Sequence, residues 1–151
     1  MPASRRHLAA DAWGSLLRAH ARLVPLLDAH LRASGVSLGF YDVLLELQAA
    51  PGSRLTMSEL GTRVVLSRSR VSRVVDDMAG AGLVRRETNP ADARSAYAVI
   101  TSSGRSTFRR AAPMYLGLIE QHVARDLSPH DLRLLARLLE RIAAAPEDEP
   151  Q

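Results

Sequence analysis

One stretch of this chain, Thr56 to Thr101, leaves few options for how it folds. It opens with Thr56-Met-Ser-Glu59, a hydroxyl and a carboxylate three residues apart, the pattern of a helix whose first turn is capped reciprocally. Leu60 and Val64 give that short helix its apolar side. After a brief turn, Ser67 is expected to cap a second helix, on which Val71, Val74, Val75 and Met78 recur at i, i+3, i+4 and i+7 as one buried stripe. Gly80 and Gly82 are expected to end it. Leu83 to Thr88 and Ala96 to Thr101 are rich in β-branched and aromatic residues. Asn89-Pro90 and Asp92 lie between them, so the segment predicts a hairpin with a long basic loop.

The flanks read as helices. From Arg5 to about Ala33, apolar residues from Leu8 to Leu31 recur at spacings of three and four. Pro25 predicts a kink there or two helices joined end to end, and Gly35 supplies a stop. Leu38 to Ala50 follows with Val43, Leu44 and Leu47 inward, and ends at the Pro51-Gly52 turn. Beyond the hairpin, one helix carries Phe108, Ala112, Tyr115, Ile119 and His122 on one side. Another opens with Ser128-Pro129 and repeats Leu132, Leu135, Leu139 and Ile142. The acidic, proline-rich tail 146–151 is expected to be disordered.

Composition removes several chemistries. All twenty basic residues are arginine, so a Walker A phosphate loop and lysine Schiff-base chemistry are excluded. With no cysteine there is no disulfide, thiolate zinc site, iron–sulfur cluster or thiol redox sensor. The five histidines, His7, His20, His30, His122 and His130, show no metal spacing, and no nucleophile elbow or Gly-rich dinucleotide loop is present. No catalytic residue, metal or cofactor is expected. No apolar run approaches the ~20 residues of a membrane span, and the start of the chain lacks a signal pattern, so a soluble cytoplasmic protein is expected. At 151 residues the chain predicts one domain. Its charge is uneven: residues 53–110 hold eleven arginines against five acids, a net of +6, while the remainder sums to −2. A basic middle between nearly neutral ends suits contact with a polyanion.

Helix, short turn, helix and hairpin is the order of a winged helix-turn-helix, which sets the amino-terminal end of its second helix into the DNA major groove. At 100° per residue, the face opposite the valine stripe presents Ser69, Ser72, Arg73 and Asp76, flanked by Arg68 and Arg70. Small hydroxyls let the backbone approach, and arginine bonds a guanine edge or holds phosphate. Asp76 and Asp77 would be repelled by phosphate, so only Ser67 to Arg73 are expected to enter the groove. In the loop, Arg94 would enter a minor groove, with Asp92 accepting from its guanidinium and holding it extended.

Together the runs Met57-Ser-Glu-Leu60, Leu66-Ser-Arg-Ser69, Val71-Ser-Arg73, Gly82-Leu-Val-Arg85, Asp92-x-Arg94 and Ile100-Thr-x-x-Gly104-Arg resemble the multiple-antibiotic-resistance regulator (MarR) family, from about Leu8 to Ile142. The resemblance implies a mainly α fold with a small β-hairpin: a triangular, homodimeric transcription factor with a winged helix-turn-helix lobe at 38–104. Helices at 5–34 and 106–145 would form the dimer interface. It also implies that Ser67 to Arg73 begin the recognition helix and that Asp92 and Arg94 are the wing pair. Two positions depart from the family pattern: Val65 stands where many members have glycine in the turn, and Ala93 where many have a wing arginine.

The terminal helices each carry an apolar stripe yet are too few to bury one another, which also argues for a second copy over a compact monomer. Two-fold symmetry would place two recognition helices ~34–36 Å apart on a pseudo-palindromic operator. Regulators of this kind often bind small aromatic or acidic ligands, and Trp13, His20, Tyr41, Asp42, Arg73 and Arg86 are the candidates for such a cleft. Of these, Asp42, Arg73 and Arg86 align with a polar set of a urate-responsive branch. The plainer expectation is that Asp42 pairs with an arginine to fix the reading unit to the scaffold and that Trp13 packs. The rival function is a winged-helix module that contacts protein without reading DNA.

Overall fold

The structure is a computed structural model that describes residues 4–92 and 94–144, with only the backbone of Arg68. Ala93 and the tail 146–151 lie outside the described residues. The chain divides into two compact units, Met1–Tyr115 and Leu116–Gln151.

The first unit opens with α1 (Arg5–Ala33), a single helix that includes Pro25, where the sequence also allowed two helices end to end. It stops at Gly35, which takes φ +87° while the Gly35 and Val36 amides bond back to Arg32 and Leu31. Next is α2 (Leu38–Ala49). Asp28 of α1 fastens this junction. Its Oδ1 accepts from the Leu38 amide at 2.8 Å and its Oδ2 from Arg32 Nε at 2.6 Å. Burial alone would raise the Asp28 carboxyl, but the Arg32 guanidinium and the Leu38 amide outweigh it and hold the group below the usual carboxylate range. A carboxyl lowered in the folded state contributes stability that is present above its unfolded pKa of about 3.9 and is lost as pH falls through the folded value. Asp28→Asn is therefore expected to lower stability by roughly 1 kcal/mol at neutral pH, with the gap from wild type closing below about pH 4. Denaturant melts across that range check this.

A 3-10 turn at Pro51–Ser53 leads into β1 (Arg54–Thr56), a strand the sequence did not announce. Gly52 and Ser53 both take positive φ there, and Arg105 Nη1 donates to Ser53 Oγ at 2.9 Å. Then come α3 (Met57–Arg63), α4 (Arg68–Gly80), β2 (Val84–Thr88), β3 (Ala96–Ile100) and α5 (Ser102–Ile119). The reciprocal cap of Thr56 and Glu59 forms as the spacing predicts. Gly82, at φ +73°, ends α4, with the Leu83 amide bonding Met78 O at 2.9 Å. The sheet is antiparallel in the order β1-β3-β2, so the hairpin gains a third strand, with Leu55 opposite Ala98 and Arg86 opposite Ala98 on the other side.

Two buried clusters hold this unit. The larger joins Val43, Leu44 and Leu47 of α2 to Leu60, Val71, Val75 and Met78 of the two short helices and to Val84 and Ile100 of the sheet. The smaller gathers Leu31, Val36, Tyr41 and Ala111. Thr101 ties the start of α5 to the end of α4: its Oγ1 donates to Gly82 O at 2.7 Å and accepts from the Gly104 amide at 3.0 Å. Gly104 then sits against the chain so closely that a Cβ there would lie 2.1 Å from Leu83 O.

In the second unit, Glu120–Ala124 form one π-helical turn and α6 runs Pro129–Ala143. Ser128 caps α6, and Asp131 completes a reciprocal cap. No residue of α6 is buried, and Leu134, Leu138 and Ile142 are exposed. Among the described residues no helix is long and apolar enough to cross a membrane.

Candidate nucleic-acid interface

The reading unit is α3, the connection Val64–Ser67 and α4. Asp42 of α2 shapes that connection by accepting from the Val65 amide at 2.8 Å. Burial raises the Asp42 carboxyl and the Val65 amide partly offsets it. The expectation that Asp42 pairs with an arginine is thus corrected: among the described residues it forms no ion pair, and its partner is backbone. The family's glycine is not needed at Val65, because the only non-glycine described with positive φ is Ser53. α3 ends at Arg63, with Val64 as its C-cap.

Ser67 occupies the N-cap position of α4, and its carbonyl accepts from the Arg70 and Val71 amides. Its side chain does not cap, contrary to expectation. The Ser67 hydroxyl lies 3.2 Å from Ser69 Oγ instead. Val71, Val75 and Met78 are buried and Val74 is half-buried, leaving Ser69, Arg70, Ser72 and Arg73 on the exposed face with Asp76 and Asp77. Arg68 begins the helix.

The wing is built from side-chain bonds to its own backbone. Asn89 Oδ1 accepts from the Ala91 amide at 3.0 Å, and the Asn89 amide bonds Ser95 O across the loop. Asp92 Oδ1 accepts from the backbone amide of Arg94 at 3.0 Å. This corrects the expected guanidinium contact: Asp92 shapes the turn rather than splinting the side chain, and Arg94 stands exposed.

Between α3, α4 and the wing runs a groove of about 480 Å³ whose lining includes Ser58, Gly61, Val71, Ser72, Arg86 and Arg94. Arg86 of β2 spans it, bonding Asp76 Oδ1 from Nε at 3.0 Å and Ser72 Oγ from Nη2 at 3.3 Å. Sequence spacing did not reveal this bridge, because its ends lie on different elements ten or more residues apart.

The six candidate ligand residues are dispersed by comparison. Trp13 and His20 are exposed on α1, and Arg73 is exposed on α4. Tyr41 is core, 3% exposed, with ring centroids 5.4 Å from Phe108 and 4.4 Å from Tyr115. Burial raises both tyrosine hydroxyls, reinforced at Tyr41 by Tyr115 and at Tyr115 by Asp42. Asp42 and Arg86 hold the partners already given, and no hydrogen bond or ion pair among the described residues links any two of the six.

Residues 34–95 match the MarR family model. The HTH-type transcriptional regulator PrsX of Escherichia coli is 28% identical over 113 residues, covering 73% of this chain and 68% of its own. Among solved structures, AbsC, a MarR family transcriptional regulator from Streptomyces coelicolor, is 34% identical with a TM-score of 0.81, over 89% of this chain and 90% of that one. Sco3205, a MarR family regulator of the same organism solved in complex with DNA, is 30% identical with a TM-score of 0.85, over 100% and 95%. With its three-stranded winged helix-turn-helix and full-length likeness to these regulators, the chain belongs to the MarR family of transcriptional regulators, not to a family of enzymes.

Proposed function

We propose that this protein is a cytoplasmic, homodimeric, sequence-specific binder of duplex DNA, acting as a repressor that a small aromatic or acidic ligand relieves. The observation that carries the reading is the exposed Ser69-Arg70 and Ser72-Arg73 face of α4, separated by one groove from the exposed Arg94 of the wing. Such a surface offers arginine to phosphate and guanine and small hydroxyls to base edges. The readout residues are Ser67, Arg68, Ser69, Arg70, Ser72 and Arg73 on the helix and Arg94 on the wing, with Asp92 shaping the wing turn.

Pairing is supported by exposed apolar residues on two helices, one in each unit. On α1, Trp13 and Leu17, one turn apart, are 60% and 47% exposed, and on α6 Leu134, Leu138 and Ile142 are exposed at successive turns. Exposed large apolar residues clustered on a helix face mark an interaction site, and a second copy would cover both. The lobe at 38–104 would then read DNA, with 5–34 and 106–145 serving dimerisation. Ligand control requires only that ligand and DNA prefer different lobe spacings.

One experiment tests the core of this: sedimentation of the purified protein, followed by titration of duplex from upstream of its own gene at rising salt. A dimer is expected, with log affinity falling linearly in log salt at about −0.9 per neutralised phosphate. A monomer at micromolar concentration that ignores duplex in dilute buffer would sink the proposal. A dimer whose only partner is protein would favour the interaction-module reading.

A further inference from the structure

The bridge across the groove is not explained by stability. The Arg86 side chain is 34% exposed and Asp76 62% exposed, and a pair so open to water contributes little to folding. Its position suggests another use. Arg86 sits on the strand that leads into the wing, whereas Ser72 and Asp76 lie one turn apart on the exposed face of α4. A guanidinium carries donors only, so Ser72 Oγ must accept from Arg86 Nη2 in the 3.3 Å contact. The serine proton is then left to point elsewhere.

We propose that Arg86 is a positioning residue for recognition: held by Asp76, it locks the wing strand to α4 and fixes Ser72 as a hydrogen-bond donor toward the duplex. The inference rests on the DNA-binding reading above. A serine fixed as donor favours acceptor edges in the major groove, the N7 and O6 of guanine, the N7 of adenine and the O4 of thymine, over the amino group of cytosine. The same bridge changes the part played by Asp76. That carboxylate, expected from sequence to be repelled by phosphate, is already occupied by a guanidinium.

Charge alone and the bridge make opposite statements about one substitution. Removing a carboxylate beside a polyanion should tighten binding. Losing the group that orients Arg86 should weaken it. The test uses the full-length protein, a randomised duplex library to read base preference, salt titrations and thermal melts. Asp76→Ala is expected to weaken the preferred duplex about threefold to tenfold and to relax preference at the base facing Ser72, as Ser72→Ala also does. Arg86→Ala should act alike, and the double substitution should be no worse than Arg86→Ala alone. Arg86→Lys keeps the charge but lacks the fork that spans two partners, so it should keep the salt slope while losing the preference. All variants should melt close to the unsubstituted protein. Tighter binding by Asp76→Ala, independent losses that multiply, or full preference in Arg86→Lys would each overturn the inference while leaving the regulator reading intact. Failure of the unsubstituted protein to bind any duplex would overturn both.

Discussion

Gly104→Ala is expected to be strongly destabilising for the addition of one methyl group, with a loss of about 3 kcal/mol or more. The added Cβ would meet Leu83 O at 2.1 Å and Ile100 Cγ1 at 2.9 Å. The first obstacle is backbone, which cannot rotate away. Moreover, Leu83 O already accepts from the Thr101 amide at 3.1 Å, so displacing it strains the joint between α4, β2 and α5 at once. Gly80→Ala, at the end of α4, provides the control. Beyond its own helical turn nothing lies within 4 Å of that Cβ, and replacing glycine by alanine in a helix should stabilise by up to about 1 kcal/mol. Denaturant midpoints for the two variants are expected to move in opposite directions. Equal midpoints would show that the close approach at Gly104 relaxes freely.

Arg94→Ala is expected to produce the largest functional loss. The wing turn is set by Asn89 and Asp92 through backbone bonds, so the alanine variant should keep the turn and lose only the cation. Affinity should fall by about 1–3 kcal/mol per subunit on every duplex alike, with a shallower salt slope. Ser69→Ala and Arg70→Ala should behave differently, altering which sequences are preferred. Binding isotherms on matched and scrambled duplexes separate the two patterns. Equal losses on all sequences for all three variants would contradict the division between helix readout and wing contact.

Much of this architecture could be read from the chain before its coordinates. The valine stripe of α4, the Thr56–Glu59 cap and the Asn89-Pro90 turn are local patterns, and local patterns survive folding because their partners lie within one or two turns. What escaped was either too short or too distant. A three-residue strand such as β1 has no period to detect, and its identity comes wholly from pairing with β3. Asp42 was recognisably important, but its partner 23 residues away was a matter of geometry that spacing cannot supply. Asp92 had two donors on the same residue to choose between, the amide and the guanidinium of Arg94, and the tighter ring closed on the amide. The motif residues Thr101, Gly104 and Arg105 were visible as a resemblance alone. Their physical reasons, a shared carbonyl, a forbidden Cβ and a bond to Ser53, appear only in three dimensions.

The Ser67 hydroxyl, turned toward Ser69 and away from the amides behind it, leaves α4 open at its leading end. An N-cap bond is worth about 1 kcal/mol. Here a phosphate oxygen would supply that bond, so the reading helix would become complete only when docked, and this part of the affinity would come from finishing a fold. Slower hydrogen exchange at the Ser69 amide in the complex would register it; unchanged exchange would show that the helix gains nothing there.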